Sequence, residues 1–329
     1  MKELVFITGA TGFTGGYLFR ELVRQGFPVR ALVRNKSKAQ HMVGENVELV
    51  EGDVREPEKL KEYLKGVHTV YHIAAIFRQE NVTEQDMFDV NVQGTRNMLE
   101  AAVAANVNRF VHCSTVGVHG APKQMPADES ADYNPGDYYQ RSKVEGEKVA
   151  IEFMKKADIP VTIFRPGPGI YGPGEMRFLK MYRGIKKKRF IMFGSGEIHY
   201  QFIYIDDLVN GIILCGTLDQ AIGEIYILSG NEPVTLNKMT EIIAEAVGVS
   251  PPRLRFPVMP LYYLGYLFEL IYKPFGAEPP IYRRRVDFFR KDRAFVIDKA
   301  RNELGYNPVI DTREGFLKTA AWYKENGYL

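Results

Sequence analysis

Two cysteines, Cys113 and Cys215, are all that 329 residues contain, too few for a disulfide framework and in keeping with a reducing compartment. Charge of one sign is equally scarce: 43 basic against 40 acidic residues leave a net +3, which gives no overall field for nucleic acid. No run reaches the ~20 charge-free apolar residues of a membrane span. Met1-Lys2-Glu3 leads straight into an apolar strand, so no secretory leader is expected and a cytoplasmic protein is. His112, His119 and His199 form no ligand spacing with nearby cysteines or acids, so no metal site is expected. What remains is a globular composition, 45% hydrophobic and 25% charged with 30 glycines and 18 prolines, long enough for one large α/β domain or two unequal ones.

The first half alternates strand-like and helix-like segments, the pattern of a parallel sheet with crossover helices. Strands are predicted at Leu4–Thr8, Val29–Val33, Val47–Val50, Thr69–Ile73, Arg109–Ser114 and Val161–Arg165. Helices are predicted at Tyr17–Arg24, from about Gln85 to Ala105, and from about Tyr138 to Lys156. Glycine and proline then crowd the nine residues Pro166–Gly174, where the chain leaves the sheet. Ile203–Ile205 and Ile225–Leu228 read as strands returning to it. The expected division is a doubly wound nucleotide-binding domain, 1–165 plus about 203–228, and a smaller α/β substrate lobe, about 166–202 and 229–329.

Gly9-Ala-Thr-Gly12-Phe-Thr-Gly15 lies between the first strand and the first helix. Glycines there let the backbone turn tightly and approach a pyrophosphate, whose charge faces the helix N-terminus. The second strand runs out through Leu32-Val33-Arg34-Asn35-Lys36-Ser37-Lys38, with no carboxylate for ribose hydroxyls but with Arg34 and Lys38 available for a 2′-phosphate. That favours NADP(H) over NAD(H); a solvated basic turn is the plainer alternative. Tyr139 and Lys143 stand four apart and share a helix face. A free phenol titrates near ~10, and an adjacent ammonium brings it into the range of a working acid/base. Ser114 and Thr115 follow a strand, where a hydroxyl can either bond a carbonyl oxygen or simply cap a turn.

Taken in order, these segments resemble the extended branch of the short-chain dehydrogenase/reductase superfamily, over nearly the whole chain. Gly52-Asp53-Val54, His72–Ala75, Asn91–Thr95, Arg165-Pro166, Tyr171–Gly174, Tyr204–Leu208 and Asp298–Tyr306 also match it. The resemblance implies a Rossmann-type parallel sheet, with Tyr139 as general acid/base, Lys143 on the nicotinamide ribose, and Thr115, five residues before Gly120, as the catalytic hydroxyl. It assigns to the cofactor Gly9, Thr11, Gly12, Phe13, Thr14 and Gly15 of the loop, Asp53 and Val54, the backbone of Ala74 and Ala75, and Pro166. Asn91 would be structural. A homodimer through the helices around Gln85–Ala105 and Tyr138–Lys156 is implied too.

Nucleotide-sugar epimerases and dehydratases of this branch carry an asparagine two residues before the Tyr-Gly-Pro element and an arginine before the strand at Phe202–Ile205. Here those positions are Gly169 and Tyr200. Thr115, Gly167 and Tyr200 are then the expected substrate contacts. The segment Phe256–Tyr272 is apolar all round as a helix, with Leu261, Leu264, Phe268, Ile271 and Phe275 on one stripe and Tyr263, Tyr266, Leu267 and Leu270 opposite. Lobe core or a dimer contact, a lid over an apolar substrate, and a peripheral membrane contact helped by Lys186–Arg189 and Arg283–Arg285 all fit it. The segment is similar to its counterpart in 3β-hydroxysteroid dehydrogenases and dihydroflavonol reductase-like enzymes. The expected activity is interconversion of a hydrophobic ketone and a secondary alcohol. A nucleotide-sugar epimerase or dehydratase holding NAD tightly, and a non-catalytic NADP-binding scaffold or sensor, are the alternatives.

Overall fold

The computed structural model describes residues 2–77, 82–272, 280–281 and 283–329; Phe275 and the side chain of Arg284 lie outside the described residues. Six strands of the first half are β1 (Val5–Thr8), β2 (Val29–Val33), β3 (Val47–Glu51), β4 (Thr69–His72), β5 (Arg109–Cys113) and β6 (Val161–Pro166). With Ile225–Leu228 they make one seven-stranded sheet in the order Ile225–Leu228, β6, β5, β4, β1, β2, β3. Every pairing in it is parallel, Val5 standing opposite both Val29 and Thr69. β1 and β4 are buried along their whole length, as strands covered on both faces must be. Because β1 separates β2 from β4, strand order reverses between β1 and β4, and the crevice beyond their carboxyl ends is where such sheets take ligands.

Two helices pack against the sheet and against each other. Tyr138–Lys156 begins where the Asp137 carboxylate accepts the Gln140 N–H and ends at Ala157, in a left-handed conformation with φ of 55°. Its apolar residues Val144, Val149, Ala150 and Phe153 are buried. The second is less regular than its sequence suggests. Glu84–Phe88 starts with a Thr83/Asp86 capping box, Asp89–Gln93 widens into a π-turn, and Gly94–Ala104 continues as an α-helix. The widened turn carries the Asn91 carbonyl to Gly146, where an added Cβ would lie 2.2 Å from that oxygen.

Contacts divide the chain into two units. The first comprises Met1–Ile170, Ile205–Ser229 and Phe295–Val309, the second Tyr171–Tyr204, Gly230–Ala294 and Ile310–Leu329. The sequence places 229–329 in the second lobe, but Phe295–Val309 packs with the first unit. Lys299 bonds Glu224 at 2.6 Å there, and the Tyr226 hydroxyl bonds Glu303 at 2.7 Å. The strand expected at Ile203–Ile205 is Phe202–Tyr204 and stays outside the large sheet, while Ile205 opens the helix Ile205–Thr217.

The second unit is built on aromatic rings. Phe316 stacks on Tyr171 at 4.5 Å and meets Phe202 edge-on at 5.3 Å, while Tyr182 and Tyr323 pack at 5.2 Å. Helices Leu179–Lys186, Leu236–Val247 and Thr312–Glu325 pack around them. The apolar segment forms the helix Val258–Tyr272, of which only Gly265 is buried. Reading it as lobe core is therefore wrong: Tyr263 is 62% exposed and Leu267 51%.

Candidate active site

The glycine loop fits an anionic cofactor. Gly9 has φ of 76°, and a Cβ there would meet the Ala74 nitrogen at 2.8 Å; a Cβ on Gly15 would run into the Gly9 carbonyl. The backbone is thus closed on itself with no room for side chains, leaving its outer surface open to a ligand. Helix Phe13–Arg24 follows from Gly12 with no side-chain cap and no acid in its first turn, so its leading N–H groups and positive dipole end face an anion unopposed. Thr11 and Gly12 are exposed; Phe13 and Thr14 are half-buried.

Arg34 and Lys38 are exposed on the turn after β2, as the sequence suggested. Groups from the end of β3 and the loop after it join them. Arg55 chelates the Asp53 carboxylate at 2.9 and 3.0 Å. These hydrogen bonds, with the Arg34 charge nearby, hold that carboxyl below its ordinary range against the opposing effect of burial. Glu51 accepts the Lys36 N–H at 2.7 Å, so one carboxylate does stand near the basic turn. Val54 turns its side chain inward against Gly94, leaving only its backbone for a cofactor.

At the end of β4, the Thr8 hydroxyl accepts the Ala74 N–H at 3.0 Å and bonds His72 Nδ1 at 2.9 Å. His72 Nε2 reaches the Thr95 hydroxyl at 3.2 Å. Burial, aided by the Lys143 charge, pushes the His72 pKa down to about 3, so the imidazole is neutral. Ala74 is half-buried against Gly9 and Ala75 is exposed. Asn91 is structural, as expected: its amide bonds both backbone groups of Ile76, at 2.8 and 3.0 Å, and the Ser142 hydroxyl at 2.9 Å.

Tyr139, Lys143 and Glu147 form one row along Tyr138–Lys156, each a turn beyond the last. The Tyr139 ring meets Phe77 edge-on at 4.8 Å. Lys143 is 2% exposed and donates from Nζ to the Cys113 carbonyl at 2.6 Å. Burial draws its pKa below the usual lysine range, opposed by Cys113 and Glu147. Glu147 is fully buried, and burial alone would raise its carboxyl pKa; hydrogen bonds and charge from Arg165, with bonds from Ser114 and Tyr133, hold it low instead. Arg165 donates to Glu147 at 2.6 and 3.1 Å, and the Tyr133 hydroxyl donates to it at 2.6 Å.

This network decides between the two hydroxyls after β5. Ser114 is buried and donates to Glu147. Thr115 is half-buried; its Oγ1 accepts the Gly117 N–H at 3.0 Å as the cap of a short 3₁₀ turn, and among the described residues its hydroxyl proton has no acceptor. The family resemblance favours Thr115 by its position before Gly120; the physical reason, Ser114 bonded to Glu147, lies 33 residues away and is not local to the sequence.

Pro166 ends β6, and the buried Gly167 gives its N–H to Leu228 at 2.9 Å. Tyr200 belongs to the second unit, where it is buried, stacked on Phe202 at 5.8 Å, with a hydroxyl that has no partner among the described residues. Among the described residues no three His, Cys, Asp or Glu side chains cluster as metal ligands, and no helix is long and apolar enough to cross a membrane.

Residues 5–228 match the model of the NAD-dependent epimerase/dehydratase family. Sterol demethylase protein B of Methylococcus capsulatus is 30% identical over 98% of this chain and 99% of its own. The Arabidopsis thaliana 3beta-hydroxysteroid-dehydrogenase/decarboxylase isoform 1 is also 30% identical, over 95% of this chain and 78% of its own. UDP-glucuronic acid 4-epimerase from Bacillus cereus, solved with NAD, shares the fold at a TM-score of 0.78 and 22% identity, covering 98% of this chain and 99% of that one. With the parallel sheet, the glycine cradle and the Tyr139–Lys143 row, these findings establish that the chain belongs to the NAD-dependent epimerase/dehydratase family of extended short-chain dehydrogenases/reductases and is an NAD(P)-dependent enzyme.

Proposed function

We propose that the protein interconverts a hydrophobic ketone and its secondary alcohol, with NADP(H) as the exchangeable cofactor. The observation that carries this reading is Lys143, buried on the Tyr139 row and bonded to the carbonyl of Cys113, two residues before the available Thr115 hydroxyl. In the reducing direction, a nicotinamide held by these residues would supply the hydride for the carbonyl carbon. Thr115 donates a hydrogen bond to the carbonyl oxygen and holds it as negative charge develops there. Tyr139 gives its phenolic proton to that oxygen, and the phenolate left behind is stabilised by the Lys143 ammonium. The reverse direction runs through the same groups, Tyr139 accepting the alcohol proton.

The glycine loop and the start of Phe13–Arg24 would hold the pyrophosphate, Asp53 the adenine, Arg34 and Lys38 the 2′-phosphate, and Lys143 the nicotinamide ribose. Support for an apolar substrate comes from the sterol and hydroxysteroid relatives and from Gly169, which lacks the amide its sugar-nucleotide counterparts carry. The family likeness also supports a homodimer through Glu84–Ala104 and Tyr138–Lys156. NADPH consumption against a panel of hydrophobic ketones, run with wild type and Tyr139→Phe, tests the reaction. Turnover should fall by ~10³-fold or more in the variant while NADPH binding stays within about twofold. Full turnover in Tyr139→Phe would refute the mechanism.

Sugar-nucleotide epimerisation or dehydration is the second reading, favoured by the family match itself. It requires an oxidised cofactor that never leaves, because the hydride returns within each cycle.

A further inference from the structure

The helix Val258–Tyr272 reverses the usual arrangement of a surface helix. Met259, Tyr263, Leu264, Tyr266, Leu267, Leu270 and Ile271 are all exposed and, at 100° per residue, cover one continuous face of about 160° without a charge or an amide. Glu269 is the one carboxylate in this helix. It lies on the opposite side, where Arg283 holds it at 2.7 Å. Leu254 and Phe256, just before the helix, are exposed as well. An apolar surface of this size marks a contact site.

Its border is cationic. The Arg283 guanidinium lies 4.6 Å from the Tyr266 ring and Arg290 4.0 Å from the Tyr262 ring, while the nearby Asp287 carboxylate is already paired with Arg290 and Lys291. Arg253 and Arg255 are exposed at the other end. Arg255–Phe256 pairs with Met192–Phe193, and the strand Met192–Phe193 follows directly from the exposed run Lys186-Lys187-Lys188-Arg189. A second copy of the chain is a poor occupant for such a face, since one helix offers about seven side chains against the roughly 20–30 per partner of a stable interface. The described helix is also short for a span: 15 residues reach roughly 22 Å, against a ~30 Å hydrocarbon core.

We propose that this helix lies in the surface of an anionic lipid bilayer, its apolar face among the acyl chains, its tyrosines at headgroup level and the surrounding arginines and lysines on the lipid phosphates. The contact would place the second unit at a membrane, where an apolar substrate is concentrated, and it stands independently of the reaction proposed above.

Sedimentation of the full-length protein with vesicles of phosphatidylcholine alone, or with 30% phosphatidylserine (about one lipid in three, enough for the electrostatic attraction invoked), tests it without any assay of activity. Wild type should pellet with the anionic vesicles and be released by high salt. Leu267→Glu combined with Leu270→Glu should weaken binding at least tenfold with unchanged thermal melting, and Lys187→Glu with Arg189→Glu should remove the preference for phosphatidylserine. Absence of binding, equal binding to both vesicles, or full binding by the Leu267/Leu270 variant would overturn the proposal. So would a change in oligomeric state caused by that variant, which would identify a second copy as the occupant.

Discussion

Glu147 shows how much of the site depends on a residue that touches no reactant. It fixes Ser114, accepts from Tyr133 and neutralises Arg165 inside the first unit. Removing the cation leaves a carboxylate buried and unpaired, so Arg165→Met should cost roughly 3–5 kcal/mol in urea unfolding. A loss under 1 kcal/mol would mean that Glu147 protonates or finds solvent. Two buried histidines within reach of the Lys143 charge, His72 and His112, predict an acid limb. His72 has its pKa pushed to about 3, and His112, buried with both ring nitrogens unpartnered among the described residues, also falls well below the ordinary 6.5. Both stay neutral in the fold while the unfolded chain protonates them below pH ~6.5. Stability is therefore complete above that pH and falls as pH drops from about 6.5 towards 3, by up to ~1.4 kcal/mol per pH unit for each histidine. His112→Leu should flatten that slope without lowering stability at pH 8, because no hydrogen bond is lost. Chemical denaturation from pH 8 to 4 measures both.

Among the elements, the widened turn at Asp89–Gln93 and the helix Tyr138–Lys156 meet where Gly146 leaves no space. Gly146→Ala would set a methyl against the Asn91 carbonyl and should lower the melting temperature by several degrees, disturbing the Ile76 contact as well. Unchanged melting would show that the two helices can separate. Here the limits of sequence reading are physical. The bounds of Tyr138–Lys156 follow from its cap and its apolar spacing, and the structure has them where the sequence put them. A π-turn leaves no such trace, because it comes from packing against another helix. Phe202–Tyr204 has the composition of a buried strand whether or not it joins the large sheet. Val258–Tyr272 has no polar face to orient it, so nothing local could say that it would be left exposed. The Tyr139–Lys143 pair and the glycine loop were legible because their chemistry demands fixed spacing; the preference for Thr115 over Ser114 on structural grounds needed Glu147 brought in from another element.

For the molecule as a whole, the central claim is that one chain binds an exchangeable NADP(H) and passes its hydride to an outside ketone. The charges of Arg34 and Lys38 on the turn after β2 favour a 2′-phosphate, while Glu51, at the end of β3 and bonded to the Lys36 N–H, works against it. Arg34→Ser should therefore raise the Kd for NADPH about tenfold and leave that for NADH within twofold, read by fluorescence titration; equal effects on both would remove Arg34 from the 2′-phosphate. The most direct measurement is to denature freshly purified protein, identify the released nucleotide by mass spectrometry, and titrate the intact protein with NADPH and NADH. The account predicts little or substoichiometric nucleotide, recovered as NADP(H), and a preference for NADPH of more than tenfold. Stoichiometric, firmly retained NAD would contradict it and make sugar-nucleotide epimerisation or dehydration the better reading.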